Sequence, residues 1–474
     1  MRRRKCCITS SSIYSPNSRR RYLIITPRGV LFYYRDKRTS KKLLLTEGYI
    51  LYQRYRLFAV NTNEHPDSVE KCKAYYGTTS VYPLDIYLGV DKLPFKISVD
   101  AALRLAKIGA TSPSYKDASE RFMDDFELPI SADEIREIVD YVGEIVLLED
   151  QRLTDEAVKT YNLKTIRSEK RGRRPKDGFT LYCEADGAMF YTRKPIKENR
   201  PGKDLSSEKD DDTAGWKENK LGIVFRSDDL IETGDRDDHE RPVLRLGKRE
   251  YICSTQGVEN FRERLLYLMM KNGLADASNV VLISDGAPWI RKTREQYFPG
   301  ATQILDLFHL KENVMKFAQY IHNNRASLYK PWWSEVCNQL ENGLWKDVLS
   351  RPEVSVYKEE KDTPKGIVNL YQYISNNSDF IDYPTYRSKG YFVGSGAIES
   401  GNKTVLQERL KLAGMRWYMS TAEGLLALRA KLKSGLWESD VVPLVRSQYS
   451  ERHLSPDSIR QSQRKKHRKP PKQS

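Results

Sequence analysis

Paired cysteines are missing from this 474-residue chain. Its six cysteines (Cys6, Cys7, Cys72, Cys183, Cys253, Cys337) form no C-x-x-C pair, which argues against a zinc ribbon or a disulfide framework and predicts reduced, mostly buried thiols. Histidine is scarce as well, at six residues, and no H-E-x-x-H occurs. Without a P-loop or a G-x-S-x-G, nucleotide-driven and serine-nucleophile chemistries lack their signatures. No stretch approaches the ~20 apolar residues of a membrane helix. After Arg2 to Arg4, where a secretory signal would turn apolar, Ile8 to Asn17 is polar and serine-rich, so a cytoplasmic protein with no membrane partner is expected.

Positive charge is abundant by contrast. Hydrophobic residues, at 39%, suffice for a core, while charged residues reach 30% and the formal net charge is +16. Residues 1 to 42 carry 13 Lys+Arg against one acid, and residues 446 to 474 carry 9 against 2. These +12 and +7 ends exceed the total and leave about −3 between them. Basic ends of this kind bind phosphate backbones by counterion release, although a merely solvated tail is the simpler alternative.

The length fits two or three domains. The first 95 residues form a basic region whose Tyr22 to Thr26 and Val30 to Tyr34 read as strands, with Tyr33, Tyr34, Tyr52 and Tyr55 read as packing residues more readily than DNA contacts. Helical periodicity takes over at Val99 to Ile108 and Tyr115 to Phe126, and in a third helix opened by Ser131 with Glu134 three residues on, a capping box. Three short helices suggest a helix-turn-helix-like domain over 96–170, linker included. The acidic face of the third helix (Asp133, Glu134, Glu137, Asp140, Glu144) suits packing better than groove reading.

Past the basic hinge Lys170 to Lys176, an α/β core is expected over 171–309. Phe179 to Ala185 and Ala188 to Thr192 read as a hairpin turning at Asp186-Gly187, followed by a strand at Leu221 to Arg226 beyond a polar loop (Pro195 to Lys220) whose Asp210 to Asp212 read as solvated. Gly257 to Lys271 (helix), Asn279 to Ser284 (strand), Ala287 to Tyr297 (helix) and Ala301 to Leu305 (strand) complete it. A helical insertion (310–390), a short strand after Gly390 with final helices (391–440, the first over Ile398 to Ala413), and a basic disordered tail (441–474) follow.

Asp186 and Asp285 each close an expected strand and precede glycine, where α/β sheets place ligands, although Asp-Gly is also a good turn. On a helical wheel begun at Ile398, Glu399 falls at about 100°, inside an apolar arc of about −40° to 120°. Arg409 shares that arc, so a buried ion pair competes with a ligand role for Glu399. Three such carboxylates can hold Mg²⁺ or Mn²⁺, and two ions ~3.5–4 Å apart can activate a water or a 3′-OH for phosphoryl transfer.

Three segments resemble the catalytic blocks of DDE insertion-sequence transposases of the ISLre group, relatives of the Mutator-like transposases. The most specific are Ser284-Asp-Gly-Ala-Pro-Trp-Ile290 with Phe298-Pro-Gly-Ala-Thr-Gln-Ile-Leu-Asp-Leu-Phe-His-Leu-Lys-Glu-Asn-Val314, and Val393-Gly-Ser-Gly-Ala-Ile-Glu-Ser400 extending through Arg416-Trp417. The resemblance covers about 180–430. It implies an RNase H-like core with a helical insertion in the 114-residue interval between Asp285 and Glu399, preceded by the β-containing and helix-turn-helix-like region. It implies Asp186, Asp285 and Glu399 as the metal-binding triad with two Mg²⁺ or Mn²⁺ ions. His309, in Asp306-Leu-Phe-His309, matches the family's Cys-or-Asp, two residues, His motif, with a satisfied core histidine as the alternative.

The activity implied is cleavage at transposon ends followed by strand transfer into target DNA. Lys403, Lys411 and Arg416 would hold the backbone of double-stranded DNA, with a homo-oligomer assembled on the DNA and the protein associated with the nucleoid. Tryptophans of the insertion could support flipped bases or simply pack. An RNase H-like nuclease without strand transfer and a domesticated DNA-binding protein are the rival functions.

Overall fold

The computed structural model describes residues 8–9, 21–26, 29–45, 48–82, 84–85, 97–161, 178–194, 214–236, 242–359 and 362–451. The hinge at 170–176, the acid run at 210–212, Cys6, Cys7 and most of the basic tail lie outside them. Two compact units are present: Met1–Ile145 with Ser439–Ser474, and Val146–Glu438.

In the first unit, β1 (Ile8–Thr9), β2 (Arg21–Thr26), β3 (Gly29–Leu45), β4 (Gly48–Ala59) and β5 (Ser80–Val81) form an antiparallel sheet in sequence order. Asp85 is buried, and Lys41 at 3.2 Å, the Tyr52 hydroxyl at 2.7 Å and Arg54 all donate to it. Helices α1 (Ser68–Tyr76), α2 (Val99–Thr111) and α3 (Tyr115–Phe126) follow. Ser98 and Ser114 cap α2 and α3 through their side chains. The third helix, α4 (Ala132–Thr160), is 29 residues rather than short, and its capping box is present: Glu134 N–H donates to Ser131 Oγ at 3.2 Å, while Ser131 N–H donates to Glu134 at 3.0 Å.

The second unit is built on a mixed sheet of β6 (Thr180–Thr192), β7 (Gly215–Arg226), β10 (Glu250–Ser254), β11 (Asn279–Ser284) and β12 (Thr302–Leu305), ordered β10-β7-β6-β11-β12. The β10-β7-β6 portion is antiparallel, and β6-β11-β12 is parallel. A ribbon of β8 (Leu230–Arg236) and β9 (Pro242–Leu246) stands apart from this sheet.

Alternation along β6 separates two faces. Leu181, Cys183 and Ala185 join the core with Phe261 and Leu265 of α5 (Gly257–Lys271) and Ile290 of α6 (Pro288–Tyr297). On the other face the Tyr182 ring lies 5.1 Å from Phe392, and Glu184 and Asp186 meet the Gly394–Asn402 segment. Helices therefore cover both faces. The four described cysteines are buried free thiols, and among the described residues no helix is long and apolar enough to cross a membrane.

Three expectations change. The hairpin at Asp186-Gly187 is absent: β6 is one 13-residue strand, because β7 pairs with it from Leu181 to Thr192 and holds Gly187 within the ladder opposite Lys220. No strand follows Gly390. The helix expected over Ile398 to Ala413 comprises Gly396–Gly401, a π-helical stretch Asn402–Gln407 and Glu408–Leu410, ending three residues early.

Behind this sheet Lys431 and Asp150 form a nearly dry ion pair at 2.7 Å. Removing one partner strands the other charge, so Asp150→Ala is expected to destabilise the protein by ~3 kcal/mol in urea titration, whereas a loss below about 1 kcal/mol would mean the ammonium finds water.

Candidate metal centre

Three aspartates share one level of the parallel strands. Ile283 of β11 pairs with Glu184 of β6, and Ser284 pairs with Leu305 of β12. Continued to the strand ends, these registers set Asp285 opposite Asp186 and Asp306 opposite Asp285. The β11–β12 ladder does continue, since Asp306 N–H donates to Ser284 O at 2.7 Å. Neighbouring strands lie ~4.8 Å apart, so a row of acids forms across the sheet.

Asp186 stands inside β6 rather than at its end, where a strand-closing residue was expected. Its Oδ1 accepts from Gly187 N–H and its Oδ2 from Asn402 Nδ2, each at 2.7 Å. Burial raises its pKa and Asp285 adds to the rise, against the opposing bonds from Gly187 and Asn402. Asp285 follows β11 at the turn into α6, where its Oδ1 accepts from Ala287 N–H at 2.9 Å and its backbone carbonyl accepts from the Tyr373 hydroxyl at 2.9 Å. Gly286 turns the chain with φ +87°, and a Cβ there would meet Leu305 at 2.8 Å, so only glycine fits.

Asp306 is fully buried and caps α7 (Leu307–Ile321). Phe308 N–H and Ser395 N–H donate to its Oδ1 at 2.9 and 3.2 Å, and the Ser395 hydroxyl and His309 Nδ1 meet its Oδ2, each at 2.5 Å. Burial works to raise its pKa, but the His309 and Ser395 bonds outweigh it and hold the carboxyl below its usual range. The hydrogen bond to Asp306 pushes His309 up to about 9 despite burial, and the charges of Asp186 and Asp285 add to that. At neutral pH, with no cation bound, this ring is an imidazolium.

The segment carrying Glu399 is anchored at each step. Gly394 packs where a Cβ would strike the Phe308 ring at 2.6 Å. Ser395 is tied to Asp306, and Ile398 N–H donates to the buried Glu184 carboxyl at 2.8 Å. Gly401 lets the helix approach β7 and β10, since a Cβ there would lie 2.7 Å from Tyr251. Asn402 then reaches Asp186.

Glu399 itself is exposed, contrary to the wheel. The π-helical stretch that starts three residues later bonds from i to i+5 and turns through less than 100° per residue, so a count of 100° per residue loses phase through it. Its spare carbonyls are met by Arg429, whose guanidinium donates to Val405 O at 2.6 Å and to Thr404 O. Leu412 and Ala413 of the supposed apolar arc lie past the helix end and are exposed. Arg409, proposed as an ion-pair partner, is buried with its guanidinium 4.8 Å from the Trp417 ring.

Among the described residues, Asp306, His309 and Glu399 are the group whose ligand atoms all lie within 4.8 Å of one another. His309 and Glu399 are thus brought together; Asp186 and Asp285 lie outside this cluster. Asp306 is a poor ligand nonetheless, because it is fully buried with four partners on its two oxygens, whereas Asp186 is half-buried with two. Its place is behind His309, as the carboxylate that orients an imidazole. Oxygens able to turn outward belong to Asp285 and Glu399, with Asp186 beside them, and His309 Nε2 is the one nitrogen left. Such an oxygen-rich set fits a hard divalent cation better than a soft one.

Asp306, Ser395, Asn402 and Glu184 were not among the candidates read from the sequence. A third strand-end aspartate before a helix was visible at Asp306, but it lacks the following glycine that marked the other two. Lys403, Lys411 and Arg416 are exposed, and Arg416 lies 5.8 Å from the Tyr191 ring.

Residues 226–441 match an uncharacterised protein family (UPF0236). No curated protein matches the chain. Among solved structures, the chain is similar to the Drosophila P element transposase strand transfer complex at 10% identity over 82% of this chain and 90% of that chain, with a TM-score of 0.23. A likeness at that score carries no weight for fold or activity.

Proposed function

We propose that this chain is a DDE transposase of the ISLre type: a metal-dependent phosphoryl transferase that nicks DNA at transposon ends and joins the freed 3′-OH to target DNA. One observation carries this reading, the row of Asp186, Asp285 and Asp306 across three adjacent parallel strands with the Glu399 segment folded onto it. The strand order β10-β7-β6-β11-β12, antiparallel then parallel, supports an RNase H-like core.

Asp186, Asp285 and Glu399 would hold Mg²⁺ or Mn²⁺, which when bound activates the attacking hydroxyl and offsets charge on the phosphate. His309, fixed by Asp306 through Nδ1, turns its other nitrogen toward that phosphate. Asn402 holds Asp186, and Glu184 holds the helix carrying Glu399, so acids from the sheet and the helix keep their spacing without substrate. Lys403, Lys411 and Arg416 supply the exposed cations for the DNA backbone.

The test uses the DNA that flanks the gene on both sides, incubated with Mn²⁺ or with chelator. Cleaved and joined products are expected from the wild type with Mn²⁺, and neither from Asp285→Asn. Cleavage untouched by that substitution overturns the site, and cleavage without joining means a nuclease.

A further inference from the structure

The first unit contains a surface with its own chemistry. Past the part of β3 that pairs with β2, Arg38 to Lys42 pair, among the described residues, only with Leu51 to Tyr55 of β4, so the sheet narrows there to a two-stranded ribbon. Register places Arg38 opposite Tyr55, Ser40 opposite Gln53 and Lys42 opposite Leu51 on one face. All six are exposed, Leu51 at 72%. The reverse face carries Lys41, Tyr52 and Arg54 and is turned inward onto Asp85.

The outward face holds two cations, two amide or hydroxyl side chains and an aromatic, with no acid among the six. Lys42 Nζ lies 3.7 Å from the Tyr49 ring at its margin. Leu51, opposite Lys42 at one end of this cationic strip, is an apolar residue left largely exposed, which is unusual for a solvated face. A two-stranded β-ribbon matches the ~12 Å major groove of B-DNA, where Arg reads guanine, Gln reads adenine and an apolar side chain can touch the thymine methyl. The deep, narrow major groove of duplex RNA does not admit such a ribbon.

We infer that the Arg38–Lys42/Leu51–Tyr55 ribbon face docks duplex DNA through the major groove, an inference that rests on the proposed action on DNA and gives it a contact surface in the unit that does not carry the metal centre.

Binding of full-length protein to a fluorescent 30-bp duplex is measured by anisotropy in EDTA over a salt series, so that catalysis plays no part. Replacing both cations (Arg38→Gln with Lys42→Gln) is expected to weaken binding about tenfold and to flatten the log–log salt slope by about two. Leu51→Glu, at an exposed site that folding tolerates, is expected to weaken binding at least fivefold. Leu328→Glu, the same charge change on an exposed leucine of the helix Ala326–Glu341, is expected to leave it unchanged.

Equal binding by the wild type and all three variants overturns the ribbon, as does equal loss from Leu51→Glu and Leu328→Glu, which would mean net charge alone. Tighter competition by duplex RNA than by duplex DNA overturns the choice of ligand. Ribbon-dependent binding by a protein that never cleaves would uphold this surface and defeat the catalytic proposal.

Discussion

Asp306→Asn is expected to reduce Mn²⁺-dependent DNA cleavage by ~10- to 100-fold while leaving the fold in place. Asparagine caps a helix about as well as aspartate, so α7 keeps its first turn and the substitution isolates the lost charge. Asp306 touches nothing outside the protein, so this effect must pass through His309 and Ser395. A second readout separates orientation from mere structure: the His309 titration, followed by ring proton resonances in metal-free protein, should fall from about 9 toward 6.5.

The sign for stability follows from the raised histidine pKa. Folded wild type holds the proton more tightly than unfolded chain, so this stabilisation is complete below pH 6.5 and lost as pH rises to about 9. It is worth on the order of 3 kcal/mol, and Asp306→Asn should remove most of that pH dependence, leaving the share due to Asp186 and Asp285. If the variant cleaves like the wild type, or if His309 titrates unchanged, the orienting role assigned to Asp306 is wrong.

Regular elements with clean periodicity were legible in the sequence. The helix Gly257–Lys271 and the strand Asn279–Ser284 fall where their patterns placed them, because the helix has one buried stripe and the strand is a short apolar run buried on both faces. The strand Glu250–Ser254 was not foreseen: five residues opening on a charge give little period, and its burial comes from pairing with β7 and from the helices packed on it, with Ile252 in the core beside Phe261 and Leu265. Asp-Gly at 186–187 read as a turn on local chemistry, and twelve paired residues of β7 overrode it.

The candidate centre was legible in part for similar reasons. The Asp306-Leu-Phe-His309 motif marked His309, while the role of Asp306 as its buried carboxylate partner shows only in the hydrogen bonds. Gly394 and Gly401 carry no chemistry of their own, and only the neighbouring Phe308 and Tyr251 rings explain them. The exposure of Glu399 depends on how its short helix meets the sheet, which no wheel contains.

Glu184→Gln is expected to make the metal-free protein more stable, by an amount that depends on pH. Two effects oppose each other at this carboxyl. The N–H groups of Ile398 and Ala397 favour the charged form, while burial and the nearby Asp306 and Glu399 disfavour it; burial is the largest and sets the pKa at about 8. The folded protein therefore binds a proton between pH 4.5 and about 8 that the unfolded chain releases, and stability falls as pH rises through that window.

Glutamine keeps an oxygen for Ile398 N–H and cannot ionise. Its advantage over the wild type should be close to nil at pH 4.5, grow to on the order of 5 kcal/mol by pH 8, and stay level above it. Urea unfolding followed by tryptophan emission reads the right unit, because all seven tryptophans lie within Val146–Glu438. A difference that does not change with pH, or a variant less stable than the wild type at pH 8, would show that the helix N–H groups outweigh burial. In that case Glu184 is an ionised anchor for the segment bearing Glu399 rather than a protonated one.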